Sequence, residues 1–536
     1  MKWQKSSWKI LVVVFIIAGG TFFLSRSITV NEFQQPEFLT FNELRKLSKN
    51  PHPGGLLELK LNRFWRTPII SNEAYRHGTR PHSPSDPRLG HYLRLVSWNI
   101  EKSIYMENAI KAFSAADRFS TLIDPTKVQP NSSEYQNIMR QRDKLSNADI
   151  IVLQEMDIGV KRSGYINAAG ELAKALDMNY AYGAEQLEID PIYLGLEKIY
   201  HQGSTTVDQE ATDFYTADST QYKGVFGCAV LSRYPIKHVE VFQLKSQAYD
   251  WHAGEKPKVG AVEKVRRGGA KAIFLNMMTR EMKVGGRIYF RVDLAVPGLP
   301  GGTLTIINVH LEIKCLPKGR EAQMSEILSY IKRIKHPVIL VGDFNSAPVD
   351  LSPTSAWRIT ERTAKNPETW LSIGTSVLLP HALVINTARY TTKITKNLQD
   401  PTAKDIPMLS PNRVKPLFDM IEHYRFNDGG AFDFRGDVKH SVNGKDGTLA
   451  NSNQRDLKGF KTTFSVKRSL VEVIGKYRLD WVFVKSYLKD TRDLTGPYRF
   501  APLFGETLEE MNTSLTPPIS DHHPNVVDIP FQEPKI

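Results

Sequence analysis

Val338-Ile339-Leu340-Val341-Gly342-Asp343-Phe344-Asn345 is an apolar run of strand length that stops on an acid and an amide. Four branched apolar residues in a row, closed by a glycine, fit a strand covered on both faces. The same composition recurs along the chain at Leu93 to Trp98, Ile150 to Gln154, Cys228 to Leu231, Arg287 to Leu294, Leu304 to Val309 and Trp481 to Val484. Between these runs the apolar period changes to that of a helix. Ala168, Leu172, Ala175 and Leu176 share one face after Ser163, and Met324, Ile327, Leu328 and Ile331 share one face of a helix over 321–334. Strands alternating with helices place the chain in the α/β class.

The strand ends carry the chemistry. Polar residues interrupt apolar runs at Ser97-Trp98-Asn99-Ile100-Glu101, Gln154-Glu155, Asn308-Val309-His310-Leu311, Gly342-Asp343-Phe344-Asn345, Leu479-Asp480-Trp481 and Ser520-Asp521-His522-His523-Pro524. One Asp or His at a strand end is most often a turn or capping residue. Taken together, carboxylates and amides offer the hard oxygen ligands that suit Mg²⁺, and two histidines near carboxylates offer a positioned base and a donor to phosphate. A structural zinc site would need clustered Cys and His instead.

In these residues, and in the order SWN, QE, NVHL, GDFN, LDW, SDHHP, the chain resembles the endonuclease/exonuclease/phosphatase family from about Leu93 to Ile529. The resemblance implies a four-layer α/β sandwich, two mixed β-sheets face to face with helices outside, as a catalytic domain over 91–536. It implies metal ligation by Asn99, Glu101, Glu155 and Asp521, with Glu155 the principal ligand. It also implies His522 as base or proton relay oriented by Asp480, and His310 as donor to a nonbridging oxygen. Asp343 and Asn345 would position the attacking water. His523 is expected to be a packing or surface residue rather than a catalyst. The run Asp157 to Gly164 resembles a loop that brings a basic residue to the phosphate, which makes Arg162 a substrate contact; Arg320 and Gln323 also match. Where the family's strand commonly carries Asn, this chain has Cys228, and no function is carried onto it.

Met1, Lys2, Lys5 and Lys9 precede an apolar run from Ile10 to Leu24, followed by Arg26. That charge order predicts an N-terminal apolar helix over 1–30 acting as an uncleaved membrane anchor with an exported catalytic body. Fifteen residues span only about 22 Å against a hydrocarbon core of about 30 Å, so a cleaved signal, leaving a secreted or periplasmic protein, is the alternative. A polar, proline-punctuated extension is expected over 31–90, with one helix opened by a capping box from Thr40 to Glu43. The stretch 385–470 reads as a long insertion or set of surface loops.

Lys plus Arg outnumber Asp plus Glu by 70 to 57, a net charge of +13, which favours an anionic partner. Two cysteines, Cys228 and Cys315, are too few for a disulfide scaffold and leave one disulfide open. The expected activity is a Mg²⁺-dependent phosphodiesterase, with Mn²⁺ or Ca²⁺ as alternatives. Nucleic acid is the preferred substrate, with Tyr165, Trp251 or Tyr477 as stacking platforms if they line the groove; Lys264, Arg266, Arg267 and Lys271 are expected as a solvated charged loop, with contact to a polyanion's backbone the alternative. A membrane phospholipid or sphingomyelin phosphodiesterase or phosphatase, for which Val377 to Val384 would supply the apolar contact, is the alternative. So is a silent binding module, against which the full set of acids and histidines argues.

Overall fold

A computed structural model describes residues 33–87, 89–194, 196–199, 213–256, 281–346, 414–432, 463–465, 476–488, 498–499 and 504–532. The segments 1–30, 264–271, 377–384 and 442–455, on which the anchor, basic-loop, lipid-contact and polar-insertion expectations fall, lie outside these. Among the described residues no helix is long and apolar enough to cross a membrane.

Ten strands build the body: β1 (Gly90–Asn99), β2 (Ile150–Ile158), β3 (Asn179–Glu188), β4 (Val225–Ser232), β5 (Ile236–Gln243), β6 (Ile288–Ala295), β7 (Thr303–His310), β8 (Val338–Asp343), β9 (Asp480–Lys485) and β10 (Asn525–Pro530). The first sheet runs β3-β4-β2-β1-β10, flanked by Ile69–Ser71 on β3 and Phe504–Thr507 on β10. The second runs β9-β8-β7-β6-β5. Both are mixed, because β1 and β2 pair parallel, as do β7 and β8, while the other pairings along these two orders are antiparallel. Every strand foreseen in the sequence is present.

Side-chain alternation along each strand sorts the apolar residues into layers. Leu93, Leu95, Ile150 and Val152 of the first sheet meet Leu304, Ile306, Ile339 and Val341 of the second in one core between the sheets. The opposite faces, Val96, Trp98, Ile151 and Leu153, pack under helices on one side. Val309, Val338 and Leu340 pack under helix Pro317–Ile331 on the other. The result is the four-layer sandwich. That helix begins a turn before the expected Glu321, since Pro317 suits the first helical position. The helix Ala168–Leu176 buries Ala168, Ala169, Leu172 and Ala173, while Ala175, expected on that face, is exposed.

The extension expected over 31–90 packs onto the body across its described residues: the capping box at Thr40 opens helix Phe41–Lys49 as foreseen, with Leu44 and Leu47 fully buried, and Ile69–Ser71 pairs with β3. Within 385–470, expected as a long insertion or a set of surface loops, one described segment is helical. Helix Lys415–Glu422 seats Leu417, Phe418 and Ile421 in the outer core of the second sheet, with the Phe418 ring 4.7 Å from Trp481. Buried Lys485 ties this unit down through Asp428, 2.7 Å away, and the Ile334 carbonyl, 2.8 Å away.

Glu506 fastens helix Ser133–Ser146 to the edge of the first sheet by accepting hydrogen bonds from Arg140 at 2.7 and 3.0 Å and from Lys144. Burial alone would raise its carboxyl, but the two cations outweigh burial and bring it to about 2 from 4.5. A carboxyl lowered in the folded state stabilises above its unfolded value and loses that contribution as pH falls through the folded one. We therefore expect Glu506→Gln to cost roughly 2 kcal/mol at neutral pH, after solvent screening of the partly exposed cations. The gap to wild type should close between about pH 4.5 and 2. Urea titrations across that range check it; a pH-independent gap would contradict it.

Candidate active site

Strand register alone gathers the polar residues at one end of both sheets. His310 closes β7 opposite Asp343 in the parallel β7/β8 pair, and Asp343 closes β8 opposite Asp480 in the antiparallel β8/β9 pair. In the first sheet Asn99 ends β1 beside Gln154, and Asn525, which begins β10 just after the Asp521-His522 motif, pairs with Ser97. Gly342 permits the close strand approach: its φ is +137°, and a Cβ there would lie 2.1 Å from the Val309 carbonyl. Glu155 sits where β2 bulges between Leu153 and Met156, with φ +60°. Such left-handed backbone is costly for a non-glycine residue and re-aims its side chain out of the strand's alternation.

Beneath the site the sheets are bolted together. Asn308 donates from β7 to the carbonyls of Leu153 and Ala229 in the first sheet, each at 3.0 Å, and accepts from Gln154 Nε2 at 2.8 Å. All these groups are buried, so Asn308→Ala would strand two carbonyls and an amide. We expect a loss of about 2–4 kcal/mol in chemical unfolding. A value within 0.5 kcal/mol of wild type would remove this role.

The two histidines face one carboxylate. His310 Nε2 lies 4.0 Å and His522 Nε2 3.9 Å from Asp343 Oδ2, and His310 Nε2 is also 3.9 Å from Glu155 Oε1. Asp343 accepts from Asn99 Nδ2 at 3.1 Å and from the Asn345 amide at 2.7 Å. Asn345, itself at φ +44°, donates its side chain to the Leu311 carbonyl at 2.9 Å and so fixes the loop after His310. The Asn99 side chain also helps to hold the Glu155 carboxyl low, and Glu101 accepts from the Asp521 amide at 3.0 Å. Asn99 and Asp521 thus both meet Glu101 on the first-sheet side, while Asp343, Asp480 and His522 bring their ligand atoms within 4.8 Å of one another.

His522 is backed by Asp480, 2.8 Å from its Nδ1. Burial opposes its charge, but Asp480, Asp343 and Asp521 outweigh burial and hold the imidazole protonated well above the ordinary histidine range. Burial, reinforced by Asp480, raises the Asp343 carboxyl. Burial would raise Glu155 too, yet His310, Lys102 and His522 outweigh it and keep the carboxyl low. The last motif is pinned by Trp98, donating to the His522 carbonyl at 3.0 Å, and by Ser520, whose hydroxyl donates to the Asn99 carbonyl at 2.7 Å. His523 is buried at the Asn512 side chain, a packing position as expected.

The sequence reading missed the groups behind His310. Its Nδ1 lies 3.0 Å from Glu185 Oε2 and 2.7 Å from the Arg287 guanidinium, which also contacts Glu185 and Glu312. Arg287 can only donate and ionised Glu185 only accept, so the two contacts draw opposite proton placements on Nδ1. A charged pair heading or interrupting apolar strands beside the His310 strand was the available signal. Cys228 and Cys315 are free thiols, and Cys228 is buried with its thiol 3.4 Å from Glu185.

Arg162 is corrected as a phosphate contact. Its guanidinium is buried and forked onto Asp157 at 2.7 and 2.8 Å and Glu188 at 2.7 and 2.9 Å, so its donors are engaged inside the protein. Arg320 is likewise buried, on Ser346 and the Glu312 carbonyl. Trp251 is buried beneath Lys283 and Lys314, each 4.6 Å from its ring, and offers no open stacking face; Tyr165 packs against the outer core, and the Tyr477 side chain lies outside the description.

The sequence model of the endonuclease/exonuclease/phosphatase family matches residues 96–522. No curated protein sequence matches the chain. Solved structures similar to it include an endonuclease/exonuclease/phosphatase from Beutenbergia cavernae, at 15% identity, 82% of this chain, 72% of that one and a TM-score of 0.32. The human Nocturnin catalytic domain with bound sulfate is similar at 12% identity over 88% and 99%, TM-score 0.30. The Xenopus laevis APE2 catalytic domain is similar at 13% identity over 82% and 93%, TM-score 0.29.

Proposed function

The chain belongs to the endonuclease/exonuclease/phosphatase family, and from that premise we propose that it is a divalent-metal phosphodiesterase acting on nucleic acid. Family membership makes it a phosphoester hydrolase. The observation that carries the finer reading is the pair of carboxylate-backed imidazoles facing Asp343 Oδ2 at 4.0 and 3.9 Å. Two ring nitrogens so placed can hold the nonbridging and leaving oxygens of one tetrahedral phosphate.

Hard oxygens of Asn99, Glu101, Glu155 and Asp521 would suit Mg²⁺, and Asp343, Asp480 and His522 have ligand atoms all within 4.8 Å of one another. Asp480 Oδ1 is buried without a hydrogen-bond partner. When bound, a divalent cation polarises the phosphate and lowers the pKa of water. The protein groups do the rest. Asp343, with Asn345 holding the adjoining loop, orients water for attack on phosphorus. His310 Nε2 donates to a nonbridging oxygen, and His522 holds at Nε2 the proton exchanged with water or leaving group as the ester P–O bond breaks. Asp480 fixes its ring and stabilises its charge.

The net charge of +13 supports a polyanionic substrate. One observation favours the lipid alternative: Ile313 and Leu316, 52% and 56% exposed, follow His310 closely and would suit an acyl chain. Purified full-length protein should therefore be assayed on DNA, RNA, sphingomyelin vesicles and a phosphate monoester, with Mg²⁺, Mn²⁺, Ca²⁺ or chelator. We expect nucleic acid to be cut with Mg²⁺ and not with chelator. Turnover of the vesicles alone would replace the nuclease reading with the lipid one.

A further inference from the structure

Glu101, Lys102 and Ser103 all have left-handed backbone, with φ of 46°, 56° and 55°. Three such non-glycine residues in a row are strained, and strain of this kind persists where surrounding contacts over-determine it. Those contacts are present. The Ser103 hydroxyl lies 3.3 Å from both the Glu155 carbonyl and the Asp157 amide, which presses the turn against the bulge that presents Glu155. The strained turn thereby brings a lysine to the edge of the carboxylate cluster, where a lysine would ordinarily be drawn out to solvent.

The Lys102 side chain is only 18% exposed, and it ion-pairs with Glu281. Glu281 has a second cation, Lys283, at 2.8 Å, and Lys283 in turn lies 3.7 Å from Glu188 and over the rings of Phe226 and Trp251 at 4.9 and 4.6 Å. Glu281 can thus release Lys102 and remain neutralised. The Lys102 charge is felt by Glu155, where it acts after His310 and before His522 in holding that carboxyl low. Lys102 directly follows Glu101 and precedes Ser103, whose hydroxyl lies against the Glu155 carbonyl, so it stands beside the expected metal ligands while none of the roles above uses it.

We propose that Lys102 is a specificity-determining residue that binds a nonscissile phosphate next to the scissile one, exchanging Glu281 for the substrate anion. This rests on the reading of the site as a nucleic-acid phosphodiesterase. A lysine ammonium is a point donor that suits a backbone phosphate without reading a base. Glu281 serves as the placeholder anion, so the free enzyme carries no uncompensated charge at that position.

Two substrates separate the idea from a general defect: bis(p-nitrophenyl) phosphate, which has one phosphate, and single-stranded oligothymidylate, which has many. Lys102→Met should lower kcat/KM for the oligonucleotide about tenfold more than for the small diester, the size of one charge-assisted contact. Lys102→Arg should retain most of the preference. Glu281→Gln should act oppositely, lowering KM for the oligonucleotide more than KM for the small diester. Binding gives a readout independent of turnover. In chelator, anisotropy of a labelled phosphorothioate oligonucleotide should show Lys102→Met flattening the log Kd against log salt slope by about 0.7, the value for one phosphate on a single strand. Equal loss on both substrates, or an unchanged salt slope, overturns the proposal. Failure of wild type to cut either substrate sinks the phosphodiesterase reading instead, and a changed salt slope would still register Lys102 as an anion contact.

Discussion

His522→Ala should lower kcat by about 10²–10⁴ at saturating Mg²⁺, the usual contribution of a general acid or base. Asp480→Asn should cost nearly as much. The Asp480 carboxylate is 2.8 Å from Nδ1 and is what overcomes burial to keep the imidazole charged, and asparagine cannot supply that charge. Because the two side chains act as one unit, the double variant should be little worse than the worse single one. His523→Ala, at the Asn512 packing position, should stay within a few-fold of wild type in kcat. Four rates on one substrate decide it. Additive losses, or a severe defect confined to His523→Ala, would mean that the working histidine is misassigned.

The second large effect falls on Glu155. Its neighbours are His310 at 3.9 Å and Asn99, and its carboxyl is held ionised against burial by surrounding positive charge. Glu155→Gln keeps the shape and the strained backbone while removing a full ligand charge. We expect apparent Mg²⁺ affinity to fall at least ~10–100-fold and activity to fall with it. Thermal unfolding without metal should change by less than about 1 kcal/mol, since the charge serves the cation rather than the core. Full turnover with an unaltered Mg²⁺ dependence would remove Glu155 from the site.

The fold was legible because both sheets are built from short apolar runs with β-branched residues, and because their polar ends are local in sequence. His310, Asp343 and Asp480 come together through simple register, so reading each strand correctly places all three. Arg162 went astray for a physical reason. Its loop is near the site, but Asp157 and Glu188 bury it, and Glu188 comes from a separate strand that the sequence gives no means of pairing with it. Glu185 and Arg287 were overlooked for the converse reason. Each reads locally as an ordinary charge at or within a strand, and only the packing of β3 and the β6 entrance against His310 gives them meaning. Helix Lys415–Glu422 was hidden by the polar sequence around it, although Leu417, Phe418 and Ile421 carry a helical period.

If the proposed function holds, this chain hydrolyses a phosphodiester with a divalent cation held at Glu155. The most direct measurement is the rate of oligonucleotide cleavage by the full-length wild type in chelator and after Mg²⁺ is restored, alongside Glu155→Gln under the same additions. Cleavage should be abolished by chelator, recovered by Mg²⁺ in the wild type, and not recovered at that concentration in the variant. Undiminished cleavage in chelator, or equal recovery by Glu155→Gln, would contradict it.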